Sequence, residues 1–185
     1  MAESGIIRRV DELGRIVIPK EIRKNFRMYE GSTLSISVNK NNEIVLSKYS
    51  RIGSISEYAN LMTDVLHNNL ECAVLICDME SIVSSSKKSL VGKKINSNMI
   101  ANFQSRKNYI FQRKESMMPV IYEGDENIYT SQGIVPIVIE GDVAGGIVIY
   151  TTNDRELMIE DIKVCQVVAN ILGDIWENLS AKIYL

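Results

Sequence analysis

Gly5-Ile-Ile-Arg-Arg-Val10, Asp11-Glu-Leu-Gly14 and Arg15-Ile-Val-Ile-Pro19 set how the chain begins to fold. Two short runs rich in β-branched residues flank a turn that ends in glycine, which is the pattern of a β-hairpin. Pro19 stops the second run, because proline cannot donate to a sheet ladder. It also suits the first position of a helix, where its missing N–H would be unpaired anyway. The spacing then predicts a short helix over 20–27, with Ile22 and Phe26 four apart on one face and Arg23, Lys24 and Arg27 on the other. Beyond it, Thr33-Leu-Ser-Ile-Ser-Val38 alternates apolar with small polar residues, as a strand with one buried face does. Glu43-Ile-Val-Leu-Ser47 is its expected partner across Asn39-Lys-Asn-Asn42, whose asparagines tolerate the positive φ of a tight turn.

Fifty residues with two hairpins and one short helix bury too little apolar surface to be stable alone. Dimerisation is the expected remedy, with the hairpins of two chains interleaving into one barrel. Charge suggests different partners for the two halves. Residues 1–50 hold nine Lys/Arg against six Asp/Glu, whereas residues 51–185 hold twelve against seventeen, so a net +3 module precedes a net −5 one. In a dimer every basic residue occurs twice, and Arg8, Arg9, Arg15, Arg23 and Lys24 can join into one cationic surface across a two-fold axis.

The run from Gly5 to Lys24, followed by Tyr29-Glu-Gly31 and the alternating strand, closely resembles the swapped-hairpin DNA-binding domain of AbrB-type transition-state regulators. The segment Asp11-Glu-Leu-Gly-Arg-Ile-Val-Ile-Pro19 is the specific part of that resemblance. It implies an α+β protein whose N-terminal β-barrel is formed by two chains, binding double-stranded DNA as a regulator of transcription. The family's basic contact positions fall on Arg8, Arg15, Arg23 and Lys24, with Arg9 and Lys20 in support. Lys24 departs from the arginine often found there: it keeps the charge but loses bidentate geometry, so phosphate contact should survive better than reading of a guanine edge. Antitoxins of the MazE type share the swapped hairpin and add a disordered toxin-binding tail, and an antitoxin-like autorepressor is the second reading. Residues 51–185 look folded instead.

The period changes from two to a helical one around Lys48–Ser54, so domains are expected at 1–50 and 56–185 with a linker at 51–55. Ile55, Ala59, Met62 and Leu66 mark a helix that Ser54 or Ser56 can cap. Strands are expected at 73–78 and 81–84, short helices around Ile95 and Met99–Phe103, and another strand at 109–111. A strong hairpin pairs 133–139 with 146–150. Gly141-Asp-Val-Ala-Gly-Gly146 superficially suggests a phosphate cradle, but a strand follows it where a cradle needs a helix N-terminus. Helix, strands, variable middle, terminal hairpin and closing helix resemble a GAF-type sensor domain. No Phe-x-x-x-Asp-Glu of the cyclic-nucleotide-binding members occurs, and an unidentified small-molecule effector would sit between the sheet and residues 87–131.

The closing helix is expected from Asp154 to Ile183. Met158, Ile162, Cys165, Ala169, Leu172, Trp176 and Leu179 keep a four-three spacing, and Val164, Val168, Ile171 and Ile175 form a second stripe. A helix apolar on two faces must bury both. One stripe can cover its own sheet; the first is read as an oligomerisation seam, in a bundle with the helix at 55–66 and its symmetry mates, giving a homo-oligomer and favouring a tetramer. The alternative is that the whole broad stripe is intramolecular core.

Catalysis finds little support. The composition, 45% hydrophobic and 24% charged in 185 residues, is that of a folded globular chain. With neither a membrane-length apolar run nor a leader-like start, a cytoplasmic protein without membrane contact is expected. His67 is the only histidine and no Cys-x-x-Cys occurs, so no metal or cofactor is evident. Cys72, Cys77 and Cys165 sit among aliphatic residues and read as core. Ser84-x-x-Lys87 and Ser85-x-x-Lys88 are reminiscent of a serine–lysine nucleophile pair but read as a polar loop. No enzyme is expected.

Overall fold

The computed structural model describes residues 5–26, 28, 34–113, 117–126 and 128–181. It divides into two units, Met1–Tyr49 and Ser50–Leu185. Arg27, Tyr29-Glu-Gly31, Thr33 and the expected helix end at Ile183 lie outside the described residues.

In the first unit, α1 (Lys20–Asn25) follows Pro19, and β1 (Leu34–Val38) pairs antiparallel with β2 (Ile44–Lys48), Val38 opposite Ile44. Asn39 closes their turn: its Oδ1 accepts from the N–H groups of Asn41 and Glu43 at 2.9 and 3.0 Å, and Asn42 adopts φ 59°. The earlier hairpin is only half realised within the chain. Its turn forms, with Asp11 N–H donating to the Arg15 carbonyl and Gly14 N–H to the Asp11 carbonyl, both at 3.0 Å. Residues 5–10 and 15–18 belong to no strand, however. Flanks that do not pair with each other leave their backbone groups for another ladder. Burial is equally incomplete. Ile7 is 89% exposed, Ile36 71%, and Val10, Val17, Val38 and Ile44 are exposed as well, so the expected buried face of β1 is not buried by its own chain.

The second unit is a five-stranded antiparallel sheet in the order β4-β3-β7-β6-β5. Its strands are β3 (Ala73–Asp78), β4 (Ile82–Ser85), β5 (Tyr109–Gln112), β6 (Ser131–Ile139) and β7 (Asp142–Thr151); its helices are α2 (Arg51–Ser54), α3 (Ser56–Leu70), α4 (Ser97–Gln104) and α5 (Ile159–Ser180). One sheet face carries Val74, Ile76, Val135, Ile137, Ile147 and Ile149 and packs on α2, α3 and α5. The other carries Leu75, Ile134, Val148 and Tyr150 and packs on α4 with the segment that contains Ile121, Tyr122 and Tyr129. Period-two alternation thus supplies two cores, one per face.

The β6–β7 turn uses Glu140 at φ 50° and Gly141 at φ 80°, a left-handed pair matched to the twist of a hairpin. Gly145 and Gly146 serve packing, not phosphate: a Cβ on Gly145 would lie 1.9 Å from the Cys77 carbonyl oxygen, and one on Gly146 2.3 Å from the Phe103 ring.

Residues 51–55, expected as a linker, form α2 and its cap. Ser50 Oγ accepts from Gly53 N–H at 2.8 Å, and Ile52 is fully buried in the core of the second unit. Neither Ser54 nor Ser56 caps α3, whose N-cap is Ile55. Arg51 fixes this start. Its Nη1 donates to the Ile139 carbonyl at 3.0 Å, Glu140 and Asp142 lie 3.6 and 3.7 Å away, and the guanidinium covers the Trp176 ring at 5.2 Å.

Helix α5 starts at Ile159 and not near Asp154, because Asp161 caps it there. Asp161 accepts from Met158 N–H at 2.8 Å through Oδ2 and from Arg155 Nη2 at 3.0 Å through Oδ1. Its expected seam is corrected. Ile162, Cys165, Ala169, Leu172 and Trp176 are buried in the unit's own core with Leu179 packed against it, while Met158 is exposed at the N-cap. The sheet takes that stripe because it offers a continuous aliphatic face. The apolar residues of α5 left outside are Ile159, Val164, Val167 and Ile171, with Tyr58, Leu61 and Val65 on α3.

Candidate nucleic-acid interface

Arg8, Arg9, Arg15, Lys20, Arg23 and Lys24 are all exposed. They fall into two groups within the first unit. Arg8, Arg9 and Arg15 flank the Asp11 turn, and Lys20, Arg23 and Lys24 share one face of α1, since i, i+3 and i+4 are neighbours on a helix.

Arg15 is held in place by its own turn. Its Nε donates to Asp11 Oδ2 at 2.8 Å, while Asp11 Oδ1 accepts from the N–H groups of Leu13 and Arg15 at 3.0 and 2.9 Å. The backbone hydrogen bond from Arg15, followed by its side chain, keeps the Asp11 carboxyl below its ordinary 3.8. Arg8 Nη1 donates to the Ile7 carbonyl at 3.1 Å. Sequence reading assigned the cations but missed the role of Asp11. The Asp-x-x-Gly-Arg spacing was the available signal, because an Asx turn needs an Asp or Asn oxygen two residues before the N–H it accepts from, and the acid here also faces the arginine four residues on.

Other candidates resolve into structure. Cys72, Cys77 and Cys165 are buried free thiols; burial raises the first and last to about 11 and 12 and Cys77 well above the ordinary range, which makes thiolate chemistry unfavourable. Ser84 Oγ donates to Asn60 on α3 at 2.7 Å and Ser85 Oγ accepts from Lys87 N–H at 3.0 Å. The Lys87 ammonium instead covers the Tyr150 ring at 5.4 Å. His67 uses Nδ1 on the Cys72 carbonyl at 2.7 Å, ending α3. Among the described residues no cluster of three His, Cys, Asp or Glu could hold a metal, and no helix is long and apolar enough to cross a membrane.

A hairpin-and-helix module with an exposed cationic surface, joined to an α+β sensor-like domain, defines a DNA-binding transcription factor with a GAF-like second domain. Residues 54–176 match the stage V sporulation protein T C-terminal transcription factor family, and residues 7–54 match the MazE antidote-toxin recognition family of bacterial antitoxins. Stage V sporulation protein T of Bacillus subtilis is 34% identical over 94% of this chain and 97% of that protein. The transition state regulatory protein AbrB of the same organism is 47% identical over 26% of this chain and half of its own length. The second unit has the fold of the GAF domain of an Acinetobacter phosphoenolpyruvate-protein phosphotransferase, with TM-score 0.55, 14% identity, and 70% of this chain and 91% of that one covered. It is similar also to the PixJ GAF domain of Thermosynechococcus elongatus, with TM-score 0.55, 11% identity, and 74% and 95% covered. The chain belongs to the stage V sporulation protein T family of transcription factors.

Proposed function

We propose that the protein regulates sporulation-stage genes by binding double-stranded DNA through a surface built twice from Arg8, Arg9, Arg15, Lys20, Arg23 and Lys24, one set from each chain of a dimer. The observation that carries this reading is the state of the first unit. Its cations are exposed and one is pre-positioned by Asp11, while its aliphatic side chains lie equally open on a single chain. At about 1.5–3 kcal/mol for each large side chain that is fully buried, a second copy is the economical cover for them. Cations that occur twice then gain affinity by releasing counterions from DNA phosphates, with sequence preference coming in part from groove shape.

The second domain assembles or switches the DNA-binding dimer. The exposed stripes of α3 and α5 support assembly into a tetramer, and a cavity of about 290 Å³ lined by Arg113, Met118, Asp125 and Tyr129 supports an effector. The antitoxin reading shares the hairpin, and the folded sheet over residues 50–181, in place of a tail, favours the regulator.

Genome-wide DNA binding by the full chain and by an Arg15→Ala, Arg23→Ala variant is the test. Occupancy near sporulation genes that the variant loses is expected. Identical occupancy in both would remove these residues from the interface.

A further inference from the structure

Two buried polar atoms in the second unit are unaccounted for: Gln132 Oε1 and Tyr150 Oη are sealed from solvent with no hydrogen-bond partner. Such orphans are uncommon and costly, and a pair of them calls for an explanation. They are neighbours. Gln132 on β6 lies directly opposite Tyr150 on β7, and the same row continues to Ala73 on β3 and Phe111 on β5. Gln112 Oε1 and Arg155 Nη1 are also orphaned, but Gln112 alternates to the opposite face of the sheet, where its Nε2 meets the Leu157 carbonyl at 2.9 Å.

The chemistry of the pair is defined. Gln132 Nε2 donates to the Pro119 carbonyl at 3.1 Å, and because a proline carbonyl can only accept, Gln132 must present its oxygen elsewhere as an acceptor. Tyr150 offers a hydroxyl. Desolvation raises it to about 12, so it stays protonated and can donate. A cavity of about 290 Å³ adjoins, lined by Arg113, Met117, Met118, Pro119, Val120, Asp125 and Tyr129. Two of its walls touch the same two side chains: Pro119 at Gln132 Nε2, and Tyr129 by an edge-on ring contact with Tyr150 at 4.7 Å between centroids. Tyr129 is in turn tied to Asp125 Oδ2 at 2.5 Å.

We propose that this row recognises a small uncharged cyclic amide, whose N–H donates to Gln132 Oε1, whose carbonyl accepts from Tyr150, and whose apolar substituent occupies the cavity beside Met117, Met118 and Val120. One acceptor beside one donor is the complement of a cis-amide edge. The row itself, Ala73, Tyr150, Gln132 and Phe111, holds no charge. The Lys87 ammonium beside it lies over the face of the Tyr150 ring, Asp125 accepts from Tyr129 and Arg113 stands in the cavity wall, so the amide edge is met by the two neutral polar groups. The proposal rests on reading the second domain as the regulatory one and names what it senses.

Full-length protein is titrated calorimetrically with uracil and with cyclo(Leu-Gly), each beside its N,N′-dimethylated counterpart. The two frameworks separate a nucleobase source from a peptide source. Binding of at least one parent is expected, weakened about tenfold or more by methylation, since a site built around a hydrogen bond rejects the analogue that lacks it. Tyr150→Phe and Gln132→Leu should each lose about tenfold in affinity; Tyr150→Phe should melt no lower than wild type without ligand, because it removes an orphan polar atom alone, whereas Gln132→Leu also gives up the bond to Pro119. If Gln132→Leu does not fold, the near-isosteric Tyr150→Phe decides alone. Failure of both parents at millimolar concentration, equal binding of the methylated probes, or unchanged affinity in Tyr150→Phe overturns the proposal. DNA affinity of the same preparations is read in parallel: its loss without ligand would count against the regulator reading, and its retention with no probe bound against the ligand alone.

Discussion

Arg15 and Asp11 work as one device, so their substitutions should differ in kind. Removing Arg15 takes a cation from each chain of a dimer, and Arg15→Ala should flatten the plot of log affinity against log salt by about two units while leaving the fold unchanged. An unaltered slope and affinity would exclude it from the DNA surface. Asp11→Asn keeps an oxygen for the turn but not the anion that meets Arg15 Nε, so weaker binding with a nearly unchanged salt slope is expected. Acid should mimic it. The folded carboxyl titrates below its unfolded value of 3.8, so its contribution is complete above that value and is lost as pH falls through the lower folded one. In Asp11→Asn that acid-dependent loss of turn structure, followed by amide exchange or chemical shifts in residues 11–15, should vanish. Gly145 tests packing in the same spirit. With the Cys77 carbonyl 1.9 Å from any added Cβ, Gly145→Ala should cost about 3 kcal/mol or more by chemical denaturation, because the obstacle is backbone and cannot rotate aside.

Among the elements, α5 separates two kinds of apolar residue that periodicity alone could not. Ala169 is almost wholly buried in the unit's own core, so Ala169→Glu should unfold the second domain, visible as lost cooperative melting. Val167→Glu on the exposed stripe should keep the fold and lower the mass in sedimentation; if the mass stays the same, the stripe joins no pair of chains beyond the one the first units already hold. The first stripe was legible as hydrophobic spacing. Of the second, Val164 and Ile171 stay outside, whereas Val168 is buried in the core with Ile175 packed against it, and the exposed Val167 belongs to neither expected stripe. Which residues meet the sheet depends on the helix's rotation. That rotation is set by contacts with β6 and its neighbours far along the chain. The terminal hairpin and the strand at 73–78 were legible for the opposite reason: their continuous apolar runs are local and bounded by turn residues. Asn39 and Asn42 announced the β1–β2 turn in the same way. Residues 51–55 misled because Gly53 and the serines look like a linker, while Ile52 gains its burial only from the folded second unit. The Gln132–Tyr150 pairing was invisible because it arises from strand register across two strands, which no single segment encodes.

At the scale of the whole molecule, the chain carries two separate demands for a partner. Among the described residues, the first unit exposes aliphatic residues from Ile6 to Leu46 and buries Pro19 and Met28; the second is well packed and exposes the outer stripes of α3 and α5, with scattered apolar residues such as Val91, Val120 and Val138. Residues 1–49 alone should therefore be a dimer or unfolded, never a folded monomer, at micromolar concentration by light scattering with a far-UV spectrum. The second demand is weaker and can be removed separately. If the two interfaces join the same pair of chains, the protein is a dimer and Val167→Glu leaves its mass unchanged, since the first units still hold it together. If they join different pairs, the full chain is a tetramer at four times the 20.8 kDa protomer and the variant falls to half that mass. The tetramer is the expected result. It presents two DNA-binding surfaces on one particle, so binding at one site raises the effective concentration of the other surface for a second site. Val167→Glu should then bind a single operator as well as wild type but lose the gain that wild type shows on DNA carrying two sites. An equal gain on two-site DNA for both proteins would mean that the second domain does not couple the DNA-binding dimers.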